Sequence, residues 1–177
     1  MCSLHINMFL DPEKILNQLE LRSDMQAAEF GCGAGNFSFA LAKRLDQGLV
    51  WAIDVLAEPL SALKGRQVLE KVVNIKIVRA DLEKPRGSTM PDSSADLIVI
   101  PNVLFQAQDK TAIIEEAERV LKTRGVIVVI DWSLDTSQGP EKKVSPEEIK
   151  KIAEDLGLEF KKEIEAGKYH FALVFEK

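Results

Sequence analysis

The chain has 177 residues, of which 46% are hydrophobic and 29% charged, and it carries a formal net charge of −5. Its lysines and arginines do not cluster in any segment, which argues against nucleic acid as a partner, and its two cysteines are too few for a disulfide framework or a cysteine-based zinc site. This composition is typical of one globular domain in a reducing, cytoplasmic compartment, with a small molecule as partner and no bound metal.

The amino-terminal segment lacks the long apolar run of an export signal, and no stretch of the chain is apolar enough to predict a membrane span. Asp11 and Pro12 are typical of the first residues of a helix, and apolar residues recur after them on one face. We therefore expect residues 1–22 to form a segment and helix that cap a ligand site, and residues 23–177 to form a single domain.

Strands and helices alternate through most of the chain. Apolar runs predict strands at residues 25–30, 49–55, 74–81, 95–101 and 125–132, and amphipathic patterns predict helices at 37–45, 58–72 and 109–122. The segment 82–94 is rich in proline, glycine and serine and is predicted to be a loop. This alternation implies a parallel sheet with right-handed crossovers.

The carboxyl-terminal part of the chain departs from this alternation. Ser145 and Glu148 form a capping box that predicts a helix start, and Gly157 predicts its end. The strand patterns at 158–165 and 169–177 are separated only by "AGK", which is too short for a crossover, so they must form an antiparallel hairpin. We predict an α/β fold with a doubly wound, seven-stranded, mostly parallel sheet and an antiparallel carboxyl-terminal hairpin.

The stretch "AAEFGCGAGNFSFALAKRL" places three glycines between the first strand and its helix. Gly31, Gly33 and Gly35 allow the backbone to turn tightly and to approach a ligand closely, although a tight turn without a ligand is the alternative. A dinucleotide fingerprint requires a further glycine where this chain has Asn36. The Glu29 carboxylate, two residues before the first glycine, suits a ligand with an ammonium group rather than a pyrophosphate.

Acidic residues also end the second and third predicted strands. Asp54 lies where a carboxylate can accept hydrogen bonds from both ribose hydroxyls, and Asp81 lies beside the same sheet edge. For Asp81 the alternative is a solvated residue at a strand end. Three carboxylates near a glycine turn fit a cationic nucleoside better than a phosphate.

The ordered set "AEFGCGAGNFS", "AIDV", "RADLEK", "ADLIVIPNVLFQ" and "RVLKTRGVIVVIDW" resembles the motifs of the class I S-adenosylmethionine-dependent methyltransferases, over nearly the whole chain. The resemblance implies a Rossmann-like fold with S-adenosyl-L-methionine as cofactor. It also implies roles for residues of this chain. The methionine part would be held by Glu29, Phe30, Gly31, Cys32, Gly33 and Gly35, the ribose by Asp54, one adenine face by Val55, the adenine edge by Asp81 and Leu82, and the sulfonium would lie near Asn102.

Methyl transfer requires a general base only if the acceptor is protonated at the start. The candidates are His170 and His5, with Asp131 and Tyr169 as weaker ones. In the resembled fold the sixth strand is parallel to the others, so the turn after it, and with it His170, reaches the cofactor edge. The alternatives are a structural histidine at position 170 and a solvated one at position 5.

The fourth motif reads "IPNV" and not the D/N-P-P-Y/F/W of many methyltransferases that act on bases or glutamine amides. Together with the acidic net charge, this favours a small-molecule acceptor, lipid-like molecules included. Two alternatives stay open: a non-catalytic S-adenosylmethionine-binding module or partner subunit, and a nicotinamide-dependent reductase. The polar segment 133–144 is either a lid over the site or a mobile surface loop. The oligomeric state does not follow from the sequence.

Overall fold

The computed structural model describes residues 10–177, and it contains one mixed sheet with helices on both faces. The strands are β1 (Gln26–Phe30), β2 (Leu49–Asp54), β3 (Ile75–Arg79), β4 (Ala95–Pro101), β5 (Leu121–Trp132), β6 (Glu159–Ile164) and β7 (His170–Glu176). The helices are α1 (Pro12–Leu16), α2 (Asn36–Arg44), α3 (Ala57–Glu70), α4 (Lys110–Val120) and α5 (Pro146–Asp155).

The seven strands lie in the order β3-β2-β1-β4-β5-β7-β6. The first five pair in parallel, whereas β7 is antiparallel to both β5 and β6. This arrangement confirms the predicted fold class, including the carboxyl-terminal hairpin. Most boundaries differ from the prediction by one or two residues, and the largest difference is at β5, which begins at Leu121, directly after α4 ends at Val120. A register shift between Ala95 and Leu97 accommodates these extra residues of β5 beside β4.

Both faces of the sheet are buried, as the near-continuous apolar runs of the central strands require. Along β4, Ile98 and Ile100 pack with α4 and α5, while Leu97 and Val99 pack on the opposite face with α1, α2 and α3. Each face therefore has its own hydrophobic core, and the strands lie between them.

The predicted caps also form. Asp11 accepts backbone hydrogen bonds from the first turn of α1, and the Ser145 hydroxyl accepts one from the Glu148 N–H at 3.0 Å. Gly157 adopts a φ of 82° directly after α5, where a left-handed residue ends a helix. Within residues 10–177, no helix combines the length and apolar character needed to cross a lipid bilayer.

Candidate active site

The glycine turn follows β1 at the carboxyl edge of the sheet, where α/β proteins bind ligands. Gly31, Gly33 and Gly35 have φ values of 75°, 51° and 83°, which other residues adopt only with strain. The N–H groups of Gly31 and Cys32 donate to the Ile53 carbonyl at 2.8 and 2.9 Å, which attaches the turn to β2. A Cβ added at Gly33 would meet no atom within 4 Å, so the backbone there borders open space.

Asp54 connects the turns that follow β1 and β2. One carboxylate oxygen accepts the Gly33 N–H at 2.8 Å, and the other accepts the Leu56 N–H at 2.9 Å. Each oxygen of a carboxylate has two acceptor positions, so each retains one for a ligand hydroxyl. The side chain predicted to bind a ribose is thus held in place by backbone donors and still has free acceptor capacity.

A cavity of about 310 Å³ opens beside Asp54, and we call it the Asp54 cavity. It is lined by residues at the carboxyl ends of β1, β2, β3 and β4 and in the loops that follow these strands. Its lining residues are Gly31, Asp54, Val55, Leu56, Ala80, Asp81, Leu82, Glu83, Val103, Gln106, Ala107 and Ile113. The predicted ribose and adenine residues therefore lie around one space.

A second cavity, of about 350 Å³, lies at the same sheet edge, and we call it the Glu29 cavity. Its lining residues are Leu10, Pro12, Glu29, Cys32, Asn36, Phe37, Pro101, Asn102, Trp132 and His170. Side chains from β1, β4, β5 and β7 meet here although they are far apart in sequence. The structure thus brings together three residues that were predicted separately: Glu29, Asn102 and His170.

Glu29 is a buried carboxylate with only 2% of its surface exposed. One of its oxygens accepts hydrogen bonds from the Ser38 N–H at 2.7 Å and from the Ser38 hydroxyl at 2.5 Å. No lysine or arginine within residues 10–177 forms an ion pair with it, and burial raises its pKa to about 8. A ligand ammonium group in this cavity would supply the cationic partner that residues 10–177 do not.

Asn102 follows β4 with a φ of 56°, and its N–H donates to the Ile130 carbonyl at 2.8 Å. Its Oδ1 atom is buried without a hydrogen-bond partner among the described residues. The next residue, Val103, lines the Asp54 cavity and lies so near the glycine turn that a Cβ at Gly31 would be 2.2 Å from its Cγ2. The Asn102–Val103 segment therefore contributes one side chain to each cavity.

His170 is the first residue of β7 and pairs in register with Trp132, the last residue of β5. The two ring centroids lie 4.3 Å apart with an interplanar angle of 37°, and His170 is 6% exposed. β6 runs parallel to β5, as the family resemblance implied, so the turn after it returns the chain to the ligand edge. His170, the first residue of β7, follows this turn and therefore lies at that edge.

The remaining predicted residues occupy different environments. Phe30 is fully buried in the core and lines neither cavity, while Gly35 precedes the first residue of α2. Cys32 borders the Glu29 cavity, and burial raises the pKa of its thiol, so that group is neutral at physiological pH. His5 lies outside the described residues. No cluster of three metal-ligating side chains is present in the described part of the chain.

Sequence reasoning missed several residues of the site. Ser38 holds Glu29 from the first turns of α2, and Asn36 and Phe37 line the same cavity. For Ser38 the only available signal was its position in the helix that follows the glycines. Trp132 ends β5, and its position at the end of an apolar strand is equally consistent with a core residue; the structure places it at the cavity.

The geometry fits a ligand with an ammonium group at one end and a ribose at the other. The Glu29 carboxylate offers the first binding partner and Asp54 the second, and both lie on the carboxyl edge of a doubly wound sheet. The Asn102 oxygen, which has no hydrogen-bond partner among the described residues, adds a polar acceptor to the Glu29 cavity, and the backbone at Gly33 leaves room for a ligand beside the glycine turn. These features suit a nucleoside that carries an amino-acid group, as S-adenosylmethionine does.

Comparison with known proteins identifies the family. A methyltransferase domain family matches residues 21–170, and the chain belongs to it. It is a class I S-adenosylmethionine-dependent methyltransferase domain, and its cofactor is S-adenosylmethionine. The demethylmenaquinone methyltransferase of Staphylococcus aureus (strain MRSA252) is 29% identical over 126 residues, which are 70% of this chain and 50% of that protein. The chain thus spans about half the length of the curated relatives it matches.

Solved structures support the same fold. A SAM-dependent methyltransferase from Aquifex aeolicus has a TM-score of 0.86 and 27% identity, with 98% of this chain and 93% of that chain covered. The [4+2]-cyclase SpnF has a TM-score of 0.81 at 12% identity, with 94% of this chain and 79% of that chain covered. At 12% identity, the likeness to SpnF shows a shared fold and nothing about function.

We expect Glu29→Gln to make the ligand-free protein more stable at pH 8. The pKa of Glu29 is raised from 4.5 to about 8, so between these values the folded protein holds a proton that the unfolded chain releases. Its stability therefore falls as pH rises through this range, whereas glutamine does not titrate. Melting temperatures should diverge with rising pH and converge near pH 4.5.

The exposed loop residue Glu141 provides the matched control, because Glu141→Gln should leave the pH dependence unchanged. Parallel curves for wild type and Glu29→Gln would show that Glu29 titrates normally. The gain in stability should be accompanied by weaker binding of S-adenosylhomocysteine, measured by calorimetry, because the ligand ammonium loses its charged partner.

Proposed function

We propose that this protein transfers the methyl group of S-adenosylmethionine to a small planar acceptor that carries a hydroxyl group and binds in the Glu29 cavity. The observation that carries the proposal is that this one cavity contains both the carboxylate suited to the cofactor's ammonium group and the His170–Trp132 pair. Cofactor and acceptor would then meet at the Asn102 side of the cavity.

The proposed cofactor contacts follow from the two cavities. Glu29 binds the ammonium group, Asp54 accepts the ribose hydroxyls, and the partly exposed Val55 side chain covers one face of the adenine. Leu82 and Asp81 lie at the adenine edge, and Asn102 lies near the sulfonium. Gly31 and Val103 line the Asp54 cavity, and their chain neighbours Cys32 and Asn102 line the Glu29 cavity, so the link between ribose and methionine would pass along the glycine turn.

The bound cofactor supplies an electrophilic methyl group on a sulfonium, and the protein's contribution is to align the acceptor and exclude water. The Glu29 cavity is suited to this because most of its lining is apolar or buried, with Phe37, Pro101 and Cys32 among the wall residues. A neutral thiol at Cys32 does not compete with the acceptor as a nucleophile. No covalent enzyme intermediate is needed.

The acceptor class is inferred from the cavity and from the relatives. Trp132 and His170 provide aromatic surfaces at the wall, which suits a flat ring. The matched relatives named demethylmenaquinone methyltransferase suggest a quinone-type molecule in its reduced, hydroxyl-bearing form. Loss of the hydroxyl proton makes the ring of such an acceptor a better nucleophile, and His170 is the wall residue that we propose accepts this proton. A ring carbon would form the new bond to the methyl group as the S–CH3 bond breaks and S-adenosylhomocysteine leaves. That carbon would then release its own proton, and the hydroxyl group would regain one.

A second candidate is a cofactor-binding protein without methyltransferase activity. It is favoured by the structural likeness to a [4+2]-cyclase, since one fold supports unrelated reactions. The nicotinamide-dependent alternative has less support, because Asn36 replaces the third glycine and lines the Glu29 cavity.

The test of the proposal is methyl transfer to a panel of reduced naphthoquinols and benzoquinols lacking one ring methyl group. We expect incorporation of label from methyl-labelled S-adenosylmethionine into the ring of at least one quinol. Binding of S-adenosylhomocysteine without turnover on this panel or on non-aromatic hydroxyl compounds would favour the binding protein. Turnover only on non-aromatic compounds would contradict the acceptor class and retain the methyltransferase.

Asp54→Ala should weaken S-adenosylhomocysteine binding by about 2 kcal/mol, because the ribose hydroxyls lose a charged acceptor and two backbone N–H groups lose their partner. Asp54→Asn is the matched variant. It retains one acceptor oxygen and should lose less affinity. Titration calorimetry measures both, and an unchanged affinity for the alanine variant would place the ribose elsewhere.

His170→Ala should reduce turnover on a quinol by about a hundredfold or more, while the affinity for S-adenosylhomocysteine changes little. The His170→Phe variant separates chemistry from packing, since its ring can still contact Trp132 but cannot accept a proton. Both variants should be equally slow. Wild-type turnover by His170→Phe would mean that the imidazole only fills space.

A further inference from the structure

Asp131 is a fully buried carboxylate near the end of β5, and it lines neither of the two cavities. One oxygen accepts the backbone N–H of Phe105 at 3.1 Å, and the other accepts the N–H of Trp132 at 2.8 Å. The Leu104 N–H also contributes to stabilising the charged form. The carboxylate is thus directed at the loop between β4 and α4 and not at a ligand.

That loop begins with Asn102, which lines the Glu29 cavity, and Val103, which lines the Asp54 cavity. Asn102 adopts a positive φ, which an asparagine tolerates only at some cost, and its N–H donates to the Ile130 carbonyl. Three residues further on, Phe105 donates to Asp131. The segment from Asn102 to Phe105 is therefore attached at both ends to the last residues of β5.

A carboxylate is unusual at such a position, because burying its charge is unfavourable. Burial raises the pKa of Asp131 to about 6, although the surrounding N–H groups and the more distant Lys110 oppose the rise. An apolar side chain would remove the acceptor that Asp131 offers to the Phe105 and Trp132 N–H groups. An asparagine would offer one acceptor oxygen, and its NH2 group would face the other N–H.

We propose that Asp131 is a positioning residue that holds the Asn102–Phe105 segment so that Asn102 and Val103 face the cofactor, and that fixes Trp132 beside the acceptor. The inference rests on the proposed function of the two cavities. Asp131 touches neither cofactor nor acceptor, so its effect is exerted through the backbone of residues that do.

The test compares Asp131→Asn with Asp96→Asn. Asp96 is the matched control because it also accepts a backbone hydrogen bond, from the Gln26 N–H at 2.8 Å, and lies near the beginning of β4, at the opposite edge of the sheet. Asp131→Asn should bind S-adenosylhomocysteine about tenfold more weakly or worse, and Asp96→Asn should bind it as the wild type does. Asp96→Asn measures what a general loss of stability does to binding.

Amide hydrogen exchange gives the readout specific to positioning. The Phe105 amide should be protected in the wild type and should exchange faster in Asp131→Asn than in Asp96→Asn. Wild-type affinity in Asp131→Asn, or equal losses in both variants, would overturn the inference.

If Asp131→Asn does not fold, hydrogen exchange of the Phe105 amide in the wild-type protein still tests whether Asp131 holds this segment. An unprotected Phe105 amide would contradict the proposed attachment, and a protected amide that gains further protection with S-adenosylhomocysteine would support it. A wild-type protein that does not bind S-adenosylhomocysteine would instead refute the proposed function, so the two failures are distinguishable.

Discussion

Glu29 lies near the end of β1, where its carboxylate is buried without a cationic partner among the described residues, and the other residues of the Glu29 cavity surround it. Ser38 satisfies one oxygen from the following helix, which leaves the group oriented but only partly stabilised. Burial of the charged carboxylate is unfavourable, and this raises the pKa of Glu29. Under the proposed function, a ligand ammonium group would relieve this cost, and part of the instability of the ligand-free site would become affinity for the cofactor.

Three carboxylates at one sheet edge have three different environments. Glu29 is buried and faces a cavity, Asp54 is partly exposed and held by two backbone donors, and Asp131 is buried and faces only protein. The same chemical group can therefore bind a charged ligand, accept hydroxyl groups or hold a loop. Burial and the surrounding donors decide which of these it does.

The fold places the candidate site at the carboxyl edge of the parallel strands, and the side chains at that edge decide which chemistry the site can perform. Proteins with the same architecture include methyltransferases and a cyclase, so the sheet order alone does not specify a reaction. In this chain, antiparallel pairing of β5 with β7 brings the aromatic pair Trp132–His170 to the wall of the Glu29 cavity. The carboxyl-terminal hairpin is thus part of the site as well as the border of the sheet.

The sequence by itself determined the strands, the caps at Asp11 and Ser145, the glycine turn and the acidic strand ends, because each depends on residues close together in the chain. Only the tertiary structure decided that Phe30 packs in the core, that Asp131 holds a loop and that Trp132 faces His170. These contacts join residues far apart in sequence, and the strand register that sets them is decided by packing on both faces of the sheet.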